Sequence, residues 1–391
     1  MRQGKVAAAY TPTYGGVAEA VMKMAMGNDI GFAFAEGVSL DDLFGYAYGA
    51  FLLEVTEDVP AGTLLGTTAG DAVTFGNESL SLKELFAAYE NKLEEIYPCN
   101  IQTEKKEIPV FTSKKAEVYH AKVTVAKPRV LIPVFPGTNC EYDSAKAVER
   151  AGAQAEIFVI NNLSASGIAD SVARFSEKME QAQAVFIPGG FSGGDEPDGS
   201  GKFITAFFRN PEIKDGVTRL LEERDGLICG ICNGFQALIK LGLVPYGKII
   251  DTDENCPTLT YNTIGRHQSK LVRVRLATEN SPWLLNVNAG DVFSVPVSHG
   301  EGRILANDTL VKELAKKGQI LTQYVDMQGM PTNDIQYNPN GSAYAIEGLI
   351  SPDGRVLGKM GHAERIGAGL YQNVEGNFDM KLFDSLVEYY K

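Results

Sequence analysis

The segment Gly230-Ile231-Cys232-Asn233-Gly234-Phe235-Gln236 constrains this chain more than any other. It follows an apolar run at 226–231 that reads as a buried strand, and residues 233–241 continue without a gap as a helix. A strand that turns straight into a helix at a cysteine, with glycine two residues to either side, has the geometry of a nucleophile elbow with sulfur replacing the serine oxygen. The glycines clear side chains from a tight, strained turn. A helix that begins at Asn233 aims its N-terminus at the sulfur, which is expected to favour thiolate over thiol. The backbone N–H of Asn233 is then placed to hold an oxyanion. Cys229 and Cys232 also have C-x-x-C spacing, but no second C-x-x-C or His-x-His cluster exists to complete a zinc site. A redox pair would sit at a helix start, whereas Cys229 lies inside the strand. Cys229 therefore reads as a core residue and Cys232 as the nucleophile.

The rhythm around the elbow is that of an α/β fold. Apolar strands at 130–135, 155–160, 184–187 and 226–231 alternate with helical stretches, which implies a mostly parallel sheet covered on both faces. Ligands of such sheets bind at the carboxyl ends of strands, where the Gly-rich turns of this chain fall. Beyond residue 270 the strands (271–276, 292–298, 343–350, 355–360) crowd together and suggest an antiparallel extension. Before residue 129 the character differs. Residues 1–95 read as a mixed α/β unit with a helix at 17–26, a strand at 50–55 and an amphipathic helix at 80–96. Residues 96–128 mix lysine, glutamate and proline without a period, as a linker lying across a domain surface would. With 391 residues, two domains of unequal size are expected.

Bulk properties narrow the setting. A net charge of −13 argues against a nucleic-acid or anionic-membrane surface, and no apolar run approaches the roughly 18 residues of a membrane span. No export signal opens the chain, and the odd count of five scattered cysteines fits reduced thiols in a cytoplasm.

A cysteine nucleophile needs a base, and there are four histidines. His120 lies in the linker, and His267 sits in a polar loop with no carboxylate beside it. His299 and His362 remain. His362 follows the strand at 355–360, and Glu364 two residues on would project to the same side of an extended segment, where it can orient the imidazole. Cys140 and Cys256 fall in loops that lack a paired base. The turn Pro188-Gly189-Gly190-Phe191 ends a neighbouring strand, and its N–H groups could complete an oxyanion hole, although a plain turn reads equally well. Gly199-Ser200-Gly201-Lys202 is not a phosphate loop, because Glu196 and Phe203 stand where Gly and Ser or Thr are needed.

These motifs together resemble the class I (triad) glutamine amidotransferases, whose glutaminase domains are flavodoxin-like. Pro136-Gly-Thr-Asn-Cys-Glu, Pro188-Gly-Gly-Phe-Ser, Gly230-Ile-Cys-Asn-Gly-Phe-Gln, Ser298-His-Gly-Glu-Gly and His362-Ala-Glu-Arg are similar, in this order, to the glutaminase domains of the phosphoribosylformylglycinamidine synthase family. The resemblance spans residues 129–391. Residues 1–95, with Tyr14-Gly-Gly-Val-Ala-Glu-Ala, look like the tail of the synthase region, of aminoimidazole-ribotide-synthetase fold. The resemblance implies a triad of Cys232, His362 and Glu364, with oxyanion donors from Asn233 and from Gly190 or Phe191. It further implies that Gln236 helps hold the substrate glutamine and that His299 and Glu301 shape its pocket. It implies no metal or cofactor in the glutaminase domain, with ATP and Mg entering only in the complete synthase. The missing synthase portion is the expected partner, and the chain is expected to be the C-terminal part of the large single-chain form. One departure is local: the usual Pro-His-Pro-Glu-Arg is here Gly361-His-Ala-Glu-Arg. The competing functional readings are a related α/β cysteine hydrolase (peptidase or deglycase) and a non-catalytic glutamine-binding regulatory module.

Overall fold

The computed structural model describes residues 2–60, 62–98, 101, 103, 106–115, 119–191, 201–372 and 374–391. Cys99, the end of the Pro188-Gly-Gly-Phe-Ser motif and most of the rejected phosphate loop lie outside them. The chain divides into two compact units, one of Met1–Ile101 with Tyr371–Glu375, the other of Gln102–Leu370 with Gly376–Lys391.

In the first unit β1 (Val6–Tyr10) pairs with β3 (Leu52–Val55), and β2 (Phe32–Phe34) joins β4 (Gly66–Thr68), β5 (Ala72–Phe75) and β6 (Glu78–Ser81) in a four-stranded sheet of order β4-β2-β5-β6. Helices α1 (Gly16–Met26), α2 (Leu40–Phe44) and α3 (Leu82–Glu90) complete it. Ser39 with Asp42, and Ser81 with Glu84, form reciprocal capping boxes that satisfy the first N–H groups of α2 and α3. The strands at 32–34 and 66–81 are too short to carry a visible period, so sequence reading passes over them.

The second unit is built on one nine-stranded sheet. Its parallel half contains β7 (Arg129–Val134), β8 (Gln154–Val159), β9 (Ala184–Ile187) and β10 (Leu227–Ile231). Between them run α4 (Glu141–Arg150), α5 (Ala165–Gln181), α6 (Lys202–Phe208) and α7 (Pro211–Glu222). After β10 come α8 (Asn233–Leu241), the short α9 (Leu243–Tyr246), β11 (Thr258–Tyr261), β12 (Gln268–Leu276), β13 (Val292–His299) and β14 (Glu301–Leu305). The unit closes with α10 (Asp308–Lys316), β15 (Ile320–Val325), β16 (Ile346–Ile350), β17 (Val356–Lys359) and α11 (Leu382–Tyr389). The strand order is β13-β12-β15-β16-β17-β10-β9-β7-β8. Strands β8, β7, β9, β10 and β17 run parallel, while β16, β15, β12 and β13 continue the sheet antiparallel, so the extension after residue 270 is real. Residues 106–115 and 119–125 belong to this second unit. Phe111 N–H donates to Gln323 Oε1 (2.9 Å), Ser113 N–H to Ala277 O (2.8 Å) and Val125 N–H to Tyr390 O (2.7 Å).

The core of this unit explains where the elbow sits. Residues 130–132 of β7 and 227–231 of β10 are fully buried, as central strands covered on both faces must be. Helix α8 is buried from Asn233 to Ile239, all the way round, which marks a helix inside a core rather than on a surface. Packing this tight demands glycine. A Cβ on Gly234 would collide with the carbonyl oxygen of Ile187, and one on Gly230 would lie 2.7 Å from the Gly234 carbonyl. Both obstacles are backbone and cannot swing away. Gly234→Ala should therefore cost about 3 kcal/mol by overpacking, whereas Gly367→Ala, with open space around it, should stay within about 0.5 kcal/mol. Denaturant unfolding of the two variants checks this, and equal losses would contradict it.

Candidate active site

Cys232 occupies the junction of β10 and α8 with φ 53° and ψ −107°, a conformation that a non-glycine residue adopts only under constraint. Its N–H donates to Lys359 O (2.8 Å) across the sheet, and its C=O accepts the first helical bond from Gln236 N–H (3.0 Å). The side chain is thereby fixed at the carboxyl end of β10, with Sγ 3.8 Å from Ser298 O. The expected thiolate is not what the surroundings favour. Burial, then the neighbouring Cys140 and Glu364, push the Cys232 thiol up to about 12, and the Asn233 N–H and Arg365 recover only part of this. The helix terminus is present, but desolvation outweighs it. These surroundings favour the neutral thiol at Cys232.

His362 lies just past β17, 1% exposed, its N–H bonded to Pro296 O (2.9 Å) and its Nδ1 2.6 Å from Glu364 Oε1. The pairing arises from tight turns rather than from extended backbone: Ala363 N–H bonds Gly361 O, and Ile366 N–H bonds Glu364 O. Burial alone would raise the Glu364 carboxyl. The facing imidazole, by charge and hydrogen bond, together with the backbone N–H of Glu364 and with Arg365, outweighs burial and holds it below the usual carboxylate range. Among the described residues His362 Nε2 is buried with no partner, an orphan that a thiol proton or a substrate would satisfy. Cys232 and His362 both border Gly189. A Cβ there would lie 2.7 Å from His362 Cε1, 3.3 Å from Cys232 Cβ and 3.2 Å from Cys140 Sγ, so the absent side chain keeps the space between them open.

The Gly-Gly turn resolves one alternative. Phe191 N–H is spent on Gly137 O (2.8 Å), and Gly189 O accepts from Asn139 N–H (3.2 Å). Phe191 is thus not an available oxyanion donor in this arrangement. Gly190 N–H has no partner among the described residues, and its φ of 151°, with Gly137 O 2.5 Å from a would-be Cβ, excludes any other residue there.

Gln236 has an internal bond at each end of its amide. Its Oε1 accepts from Asn233 Nδ2 (2.9 Å) and its Nε2 donates to Glu301 O (2.6 Å). These bonds brace the elbow against β14. His299 closes β13, buried, with Nδ1 3.1 Å from Asn262 Oδ1 and Nε2 without a partner among the described residues. Burial, with His362 and His267 adding to it, lowers His299 to about 3, so it is neutral at pH 7 and cannot serve as a cationic anchor. His267 is 3.0 Å from Ser298 Oγ, and His120 is exposed.

Cys140 is the residue that sequence reading misplaced. It caps α4, buried, with Sγ 3.9 Å from His362 Nδ1, 2.9 Å from Arg365 Nη2 and 3.0 Å from Asn139 Oδ1. It stands beside the imidazole without belonging to an elbow, and burial, with Glu364, pushes its thiol up to about 11. Donor atoms of Cys140, His362 and Glu364 all lie within 4.8 Å of one another. The Arg365 guanidinium donates to the same sulfur. Cys140 lies in the Pro136-Gly-Thr-Asn-Cys-Glu motif, but nothing in its local spacing announces the approach to His362.

A buried thiol on a strained strand-to-helix turn, meeting a His–Glu pair beside a Gly-Gly turn, defines a cysteine-dependent α/β hydrolase. Residues 127–390 match the family described as the CobB/CobQ-like glutamine amidotransferase domain, and the chain belongs to that family. The chain is 34% identical over 255 residues to phosphoribosylformylglycinamidine synthase subunit PurQ of Methanococcus maripaludis, an alignment covering 65% of this chain and 87% of the relative. It is 32% identical over 258 residues to the subunit of the same name from Salinibacter ruber, covering 66% and 95%. A chain in the structure of PurLQS from Thermotoga maritima aligns at 25% identity with a TM-score of 0.48, covering 68% of this chain and 100% of that one. Among the described residues, no helix is long and apolar enough to cross a membrane.

The neutral resting thiol is testable. A thiol raised to about 12 is almost wholly protonated at neutral pH, and its thiolate fraction grows roughly tenfold per pH unit. Alkylation of Cys232 by iodoacetamide in the absence of glutamine should rise by that factor per unit from pH 7 to 9. A plateau already at pH 7 would show a preformed thiolate.

Proposed function

We propose that this chain hydrolyses glutamine at Cys232 and supplies the ammonia for ATP-dependent amidation of formylglycinamide ribotide to formylglycinamidine ribotide. The observation that carries the reading is that the strained elbow at Cys232 and the ring of His362, whose Nδ1 is held by Glu364 and whose Nε2 has no partner among the described residues, border the same opening at Gly189. Family membership and the names of the relatives point the same way.

The chemistry follows from the resting state. Because the thiol is neutral, attack on the glutamine carboxamide carbon is coupled to transfer of its proton to His362 Nε2. The carbonyl oxygen becomes an oxyanion held by the N–H groups of Asn233 and Gly190. Collapse breaks the C–N bond, His362 returns its proton to the departing amine, and ammonia leaves a γ-glutamyl thioester on Cys232. Water, deprotonated by His362, hydrolyses the thioester through a second oxyanion to give glutamate. Glu364 keeps Nδ1 engaged throughout, so that Nε2 faces the sulfur.

In this proposal residues 129–391 form the glutaminase domain and residues 1–95 are a synthase tail, joined to it by 96–128. ATP and Mg enter only with the synthase portion, where the ammonia is consumed; the word subunit in the relatives' names supports such a partner.

Purified chain should hydrolyse glutamine slowly, and Cys232→Ala should abolish turnover. Glu364→Gln should lower kcat roughly 10–10³-fold with little change in KM, since it affects orientation rather than binding. Addition of the synthase portion with ATP and formylglycinamide ribotide should raise glutamine turnover. Full activity in Cys232→Ala would overturn the reading.

A further inference from the structure

The strand that delivers His362 contains a charged pair in an unexpected place. Lys359 and Glu347 are both 0% exposed, on neighbouring strands β17 and β16, with Nζ 3.1 Å from Oε1. Burying two charges costs several kcal/mol each, and replacing such a pair with apolar side chains of similar volume is often neutral or stabilising. Stability alone therefore does not account for these residues. Their hydrogen bonds suggest what does.

Lys359 Nζ donates to Gly361 O (2.8 Å), and Glu347 Oε1 accepts from Gly361 N–H (2.5 Å). The pair thus grips both polar groups of the residue immediately before His362. Thr322 Oγ1 donates to the other oxygen of Glu347 and fixes the carboxylate from β15. The same lysine bonds the nucleophile through its main chain, its C=O accepting the Cys232 N–H at 2.8 Å. Lys359 thus touches both the backbone of Cys232 and that of the residue before His362. Position 361 must be glycine for this to work. A Cβ there would lie 3.0 Å from both Lys359 Nζ and Glu347 Oε1 and 2.6 Å from Val295 Cγ2. A proline would also remove the N–H that Glu347 binds. The residues flanking His362 are Gly361 and Ala363, neither of which restrains its own backbone, so the restraint has to come from outside.

We propose that the buried Lys359–Glu347 pair is the positioning device of this site, holding the Gly361 peptide groups so that His362 Nε2 faces Cys232. The inference rests on the glutaminase reading above. Neither residue touches substrate; both act through His362. Misplacing a catalytic group by about 1 Å can cost about 10²-fold in rate, whereas glutamine binding depends on other groups.

The test is the double variant Lys359→Met with Glu347→Leu, which removes both charges together, assayed beside wild type and Cys232→Ala. The expected result is a folded protein with glutamine KM within about threefold and kcat lowered roughly 30–100-fold. Thr322→Val, a small change that releases only the second oxygen of Glu347, should lower kcat roughly threefold or more at unchanged KM, and decides the matter if the double variant does not fold. Wild-type kcat in a folded double variant, or in Thr322→Val where the double variant is unfolded, would overturn the inference, provided that Cys232→Ala is inactive. An active Cys232→Ala would instead overturn the reading on which it rests.

Discussion

The hydrogen bond from Cys232 N–H to Lys359 O, formed while Cys232 is held at φ 53° and ψ −107°, ties the catalytic unit together. A backbone in that region costs of order 1–3 kcal/mol and persists only where its surroundings over-determine it. Here they do. The residue is anchored before the turn by β10, which is paired on both edges with β9 and β17, and after it by α8, which is enclosed in the core. Gly230 and Gly234 let strand and helix approach each other and β9 closely enough for the turn to exist. The burial that makes this enforcement possible also sets the electrostatics of the site, because a thiol driven into the core loses its solvation.

That trade shapes the chemistry. Burial dominates at the Cys232 thiol and at the His299 imidazole, whereas at Glu364 the charged and hydrogen-bonding neighbours outweigh it. Cys232 rests protonated and His299 neutral, while Glu364 keeps its charge because His362, Arg365 and backbone N–H groups compensate for its burial. A nucleophile that gives up its proton only when an amide carbon is in place is sheltered from stray electrophiles and oxidants. Its reactivity then depends on how accurately His362 is aimed, which is why the groups that hold the backbone at 359–362 matter to a residue at the end of the adjacent strand.

Much of this was legible in the sequence, and the parts that were not share a cause. The elbow, the His–Glu pair and the α/β order with its antiparallel extension are local patterns: glycine spacing, a two-residue offset, a strand–helix rhythm. The upward push on the thiol was not visible, because helix termini can be read in sequence while burial is a sum over distant residues. Phe191 appeared able to donate to an oxyanion until the fold placed Gly137 O against its N–H. Cys140 reaches His362 across 222 positions, and Glu347 meets Lys359 through strand pairing that no spacing rule specifies. The bond from Gln236 to Glu301 in β14 likewise joins residues 65 positions apart. In the first unit, the short strands between 32 and 81 are paired by register rather than announced by periodicity.

The central claim is that one thiol of the several buried near the sheet carries the covalent intermediate. A glutamine-like diazo-ketone, which needs both the glutamine pocket and an activated sulfur, tests it directly when the labelled protein is digested and mapped. The label is expected on Cys232 alone, with Cys140 and Cys229 unmodified and the reaction blocked by excess glutamine. A label on Cys140, whose sulfur also borders the His362 ring at 3.9 Å, would contradict the account by moving the nucleophile from the strained elbow to the cap of α4.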